Sequence, residues 1–190
     1  MTHISPLARR AFMGSVLSIV CLLPAGLTAS QLFRRGPNYQ IFKDVAGRFE
    51  LDYPKDWRVL PSGGSSLATF VSNDGPTLFI DHVKLVEKMT PAEIEVMGEN
   101  DADRLKREHP TAKDFKPGPL ETKAGRGALI RYARIESGPE VVLHGSIPVG
   151  LDLFRVYGVL PQKQVSKYEP IVMHMIESFK APADPADAKK

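Results

Sequence analysis

The sequence predicts an α+β domain with six or seven antiparallel strands, one helix in the middle and one at the end. Three observations carry that reading. From Phe49 onward, short segments of alternating apolar and polar residues are separated by turns rich in Gly, Pro, Asn and Asp. The stretch Thr90-Pro91-Ala92-Glu93 is a helix start, with Thr90 able to cap, Pro91 suited to the first turn and Glu93 completing a capping box. Val165, Tyr168, Val172, Met175, Ile176 and Phe179 fall at helical spacing.

The strands follow in order. Phe49, Leu51 and Tyr53 alternate with Arg48, Glu50 and Asp52, and Pro54 ends that strand. Trp57 and Val59 mark a second short extended piece, and residues 62–66 are a Ser/Gly loop. Leu67 to Ser72 and Thr77 to Val86 flank the turn Asn73-Asp74-Gly75-Pro76, so they form an antiparallel hairpin. After the first helix, which ends at His109-Pro110, further strands run over about 119–123, 128–136, 140–147 and 152–160. Their connections are short, which makes them antiparallel neighbours. In the last helix Ser166 and Glu169 are placed for a capping box, with Pro170 inside the first turn.

The first thirty residues read as an address. Residues 1–10 end in Arg9-Arg10, residues 11–23 are mostly apolar, and Thr28, Ala29 and Ser30 follow Pro24 and Gly26, the order of a secretory signal peptide. Gly14, Ser15 and Ser18 interrupt the apolar run, which falls short of the ~20 residues that span a bilayer. No permanent span is expected once the signal is cleaved. Arg9-Arg10-Ala11-Phe12-Met13 also resembles a twin-arginine signal, which leaves two export routes open. Residues 31–44 then read as a linker, 45–180 as a single domain and 181–190 as a disordered tail. The expected location is the periplasm or another exported compartment of a bacterium.

Composition excludes several classes. The 190 residues carry a net charge of +3. Two of the positive charges are Arg9 and Arg10, so the body is nearly neutral, and no clustered basic face marks a nucleic-acid partner. Cys21, the one cysteine, lies in the signal segment, which removes disulfides, thiolate metal sites and cysteine nucleophiles from the body.

Little else looks like chemistry. There is no Gly-x-Ser-x-Gly elbow and no phosphate loop. His82, Asp81 and His144 lie mid-strand and would form a zinc or acid–base site if their strands paired with side chains converging. The competing reading is two strand histidines facing opposite sides or solvent. His109 and His174 read as exposed, and Glu99, Asp101 and Asp103 as a solvated helix face. Arg131, Arg134 and Arg155 would bind an anion or simply lie over apolar neighbours.

The opening strand Phe49-x-Leu51-x-Tyr53-Pro54-x-x-Trp57, with the ending strand Leu153–Leu160 and a helix closing on Tyr168, Ile176, Ser178 and Phe179, resembles the PsbP-like proteins and their bacterial relatives, including DcrB-type lipoproteins. The resemblance implies an α/β/α sandwich around a mostly antiparallel sheet. It also implies a non-enzymatic binding or assembly factor that acts through a protein surface, with no cofactor. The expected partner is an unidentified protein, such as a membrane complex. No residue matches the family's metal or photosystem contacts, so those roles do not carry over. The alternative is a metal-dependent or hydrolytic periplasmic enzyme using His82 and His144.

Overall fold

Alternating segments joined by tight turns pair with their neighbours, and the strand registers show how far that local logic reaches. The computed structural model describes residues 37–60, 66–135 and 138–182. β1 (Tyr39–Lys43) pairs antiparallel with β2 (Glu50–Pro54) in a small sheet. The main sheet is built from β3 (Arg58–Leu60), β4 (Ser66–Val71), β5 (Thr77–Lys84), β6 (Lys113–Thr122), β7 (Gly125–Arg134), β8 (Glu140–Val149) and β9 (Asp152–Pro161). Its seven strands lie in the order β3-β4-β5-β9-β8-β7-β6, and all neighbours are antiparallel. The helices α1 (Pro91–Glu108) and α2 (Val165–Glu177) lie on opposite faces of this sheet.

α2 covers one face. Val172, Met175 and Ile176 pack with Phe179 onto Phe70, Leu78, Ile80, Leu143, Ile147, Val156 and Leu160. Burial of each such side chain contributes roughly 1.5–3 kcal/mol. Gly158 permits the approach, because a β-carbon there would collide with Cγ1 of Val172. Phe49, Leu51 and Trp57 close the cluster, with Phe49 stacked 5.4 Å from Phe179.

α1 is capped as its sequence foretells. Thr90 accepts from the Glu93 amide, and the Glu93 carboxylate accepts from the Thr90 amide at 2.7 Å. Ala102 and Leu105 form a smaller core with Ile130, Tyr132 and Val142. The α+β class, the antiparallel sheet and the two helices therefore stand as the sequence implies.

Three expectations change. The linker expected over 31–44 contains β1, which packs Phe42 against Phe49, Tyr53 and Phe70. Its turn back to β2 is held by Arg48, whose Nε donates to Asp44 at 2.7 Å and keeps that carboxyl below the usual carboxylate range. The Ser166/Glu169 capping box does not form. Gln164 occupies the cap position after a single 3-10 turn, Pro170 is the sixth helical residue, and Glu169 accepts from Arg131 at 2.9 Å instead. The tail reading also starts too early. Lys180, the last residue of the expected domain, exchanges two backbone hydrogen bonds of 2.8 Å with Glu50, and Ala181, the first of the expected tail, packs on the core. The signal segment 1–30, the rest of the linker up to residue 36 and residues 183–190 lie outside the described residues.

Candidate functional site

The two faces of the main sheet are covered unequally. Every residue from Val141 to Ile147 in β8 is buried, so that strand is covered on both sides. In β4, β5 and β9 burial alternates, with one face sealed by α2 and the other half-buried. The reason is the position of α1, which packs over β6 and β7 and reaches only as far as β8.

Register defines what this half, left uncovered by the described residues, presents. Directly opposed residues of antiparallel strands share a face. One row runs Arg58, Val71, Thr77, Val159 and then passes under α1 at Val142 and Tyr132. The next runs Leu60, Thr69, Phe79, Tyr157 and passes under at His144 and Ile130. A third contains Asp81, Arg155, Ser146 and Ala128. Phe79 and Tyr157 stack at 4.8 Å in the middle of the bare region. Leu60 is 41% exposed at its outer margin. Burial, with Asp81 nearby, pushes the Tyr157 phenol up to about 12, so it stays neutral.

Charges on this face are largely paired. Arg155 donates to both carboxylate oxygens of Asp81 at 2.8 and 3.1 Å. Arg104, on the α1 flank beside it, donates to Asp101 and to Glu108. At one end a groove of about 420 Å³ opens between α1 and the chain after β5, lined by Leu85, Val86, Met89, Val96, Met97 and Leu153 among others.

Under α1 lies a buried polar cluster. Ser146 donates to Asp101 at 2.6 Å and lies 3.3 Å from Nε2 of His144. Burial pushes His144 down to about 4 against the pull of Asp101, and its Nδ1 has no hydrogen-bond partner. Serine, histidine and aspartate meet here, but in the wrong order for catalysis. The serine sits between the other two, and neither it nor the histidine is exposed at all. The cluster pins α1 to β8.

The sequence-predicted residues separate. His82 opposes Phe154 and so faces the α2 side, whereas His144 opposes Tyr157 on the other face. The candidate His82–Asp81–His144 site is thus not formed, because a one-residue step along β5 reverses the side and Asp81 is committed to Arg155. His82 lies 3.9 Å from Asp152, and the half-exposed His174 lies 3.5 Å from Asp52. Arg131, Arg134 and Arg155 neither converge on an anion nor lie idle, since each pairs with a carboxylate: Glu169, Glu140 and Asp81. Asp101, expected on a solvated face, turns inward to Ser146. Among the described residues no group of three or more His, Cys, Asp or Glu is placed to hold a metal, and no helix is long and apolar enough to cross a membrane.

With seven antiparallel strands and helices on both faces, the fold is that of the PsbP-like proteins. Cyanobacterial PsbP (CyanoP) from Synechocystis superposes with a TM-score of 0.59 at 11% identity, over 77% of this chain and 94% of that one. The Ran-binding protein Mog1p of Saccharomyces cerevisiae gives 0.54 at 10% identity, over 78% and 97%. LpqN of Mycobacterium tuberculosis, described as involved in cell envelope biogenesis, gives 0.54 at 14% identity, over 76% and 91%. No family model and no curated protein sequence matches the chain.

Proposed function

We propose that this protein is an exported, non-enzymatic binding or assembly factor, and that it acts through the uncovered half of its sheet. One observation carries the reading: the stacked pair Phe79 and Tyr157 lies at the centre of a half-buried, charge-paired sheet face that neither helix covers. Aromatic side chains set among aliphatic ones on an otherwise neutral patch are what protein interfaces favour. Likeness of fold supports binding over catalysis, since one neighbour is described as Ran-binding and another as involved in envelope biogenesis. Export is supported by the signal-like order of residues 1–30. The enzymatic alternative loses its footing because His82 and His144 lie on opposite faces.

The reading is tested by fractionating native cells and sizing the extract under mild detergent. The chain should be found outside the cytoplasm, in a complex well above its own 21.0 kDa. Migration as a free chain, or a full-length cytosolic form, would contradict it.

A further inference from the structure

We infer that the uncovered half of the sheet receives a single amphipathic helix of a partner protein, laid beside α1 with an acidic residue on its outer flank. The inference rests on the binding role proposed above and names what occupies the site.

Size selects the occupant. Strands lie ~4.8 Å apart and side chains on one face recur every ~6.8 Å, so four strands and three rows present roughly 400 Å². A stable protein pair needs about 800 Å² per partner, so a second copy of this chain held by this face alone is too large a partner for the patch. A helix needs less. It is ~10 Å wide, and helices pack side by side at 8–10 Å. α1 already occupies the other half of the face, with Arg104 on its flank. The four strands from β9 to β3 leave a width of roughly 19 Å, room for a helix seated against that flank.

Edges argue against an added strand. β3 is three residues long, and β6 carries Pro117, Pro119 and a bulge between Lys113 and Lys116. Short, proline-bearing and bulged edges do not template pairing. The groove between α1 and the chain after β5 extends the bare face at one end, with Val86 fully exposed and Val96 52% exposed, and would take an apolar side chain from the helix terminus. Charge sets the orientation. Arg155 and Arg104 are committed to acids within the chain, while Arg58 on the outer margin is exposed and has no ion-pair partner among the described residues. An acid on the outer flank of the helix would complement it.

The test places a photoreactive benzoylphenylalanine in the full chain in native cells, at Phe79 or Tyr157, with Lys55 and Glu177 as exposed controls elsewhere. Adducts should form from the first two positions and not from the controls. The linked partner peptide should carry apolar residues at i, i+3, i+4 and i+7. A synthetic peptide of that sequence should gain helicity on binding the purified chain. It should weaken at least tenfold with Tyr157→Glu and remain bound by Tyr157→Phe. With Arg58→Glu it should weaken roughly two- to fivefold, the range of an exposed ion pair. Adducts from the controls alone would overturn this inference and the sheet face as the binding surface, and leave only a binding role through another surface. A linked peptide of strictly alternating pattern, or an adduct to a second copy of the chain, would overturn this inference and leave the binding role standing. Absence of adducts from every position would overturn both.

Discussion

Trp57 and His144 show how single side chains divide between stability and conditional stability. Trp57 is 4% exposed and lies 6.2 Å from the Tyr168 ring, so it closes the core under α2. Trp57→Ala should cost roughly 3–5 kcal/mol, read as a shift of the denaturation midpoint. An unchanged midpoint would place the indole outside the core. His144 is held neutral, its value pushed from 6.5 down to about 4 by burial, with Asp101, Arg104, Arg155 and Glu108 acting on it. The unfolded chain therefore binds more protons than the fold between those values, and stability rises with pH across that window. The protein should lose on the order of 2–3 kcal/mol as pH falls from 6.5 to 4. His144→Gln should flatten the profile there, because it removes the titrating group. Asp44, lowered by Arg48, contributes only as pH drops into the carboxylate range, so it does not mimic the effect.

Elements were legible wherever the signal was local. The α1 start needed only Thr90 and Glu93, which are three residues apart. The hairpin of β4 and β5 needed only the turn between them. The misses have distant causes. Glu169 sits where a capping box would use it, but Arg131 on β7 claims it from 38 residues away. β1 is only five residues long with Ile41 exposed, and its Phe42 is partly buried by partners that only the fold supplies. Asp101 lies within an acidic run and turns inward because Ser146 waits beneath it. At this scale α2 offers the sharpest check. Gly158→Val would push Val172 off the sheet and should cost roughly 1–3 kcal/mol, the usual price of overpacking a well-filled core. A neutral result in thermal denaturation would mean that α2 does not seat closely on β9.

At the scale of the whole molecule, the candidate site was half legible. The strands themselves could be read one by one, but not which of them is covered twice: β8 carries His144, Gly145 and Ser146 yet is buried on both faces, whereas the more apolar β9 is buried on alternate residues only. What no local pattern gives is the strand order, which sets β9 beside β5 and leaves Phe79 and Tyr157 together beyond the reach of α1. The signal-like start is a separate and purely sequential matter. Replacing Arg9 and Arg10 by lysine should abolish export if the twin-arginine route is used, and unchanged export on fractionation would assign the Sec route. The most direct measurement concerns the bare face. Tyr157→Glu, expressed at native level and melting with the wild-type transition, should release the chain from its high-mass complex in mild-detergent extracts. Persistence of that complex in the folded variant would show that the partner binds elsewhere.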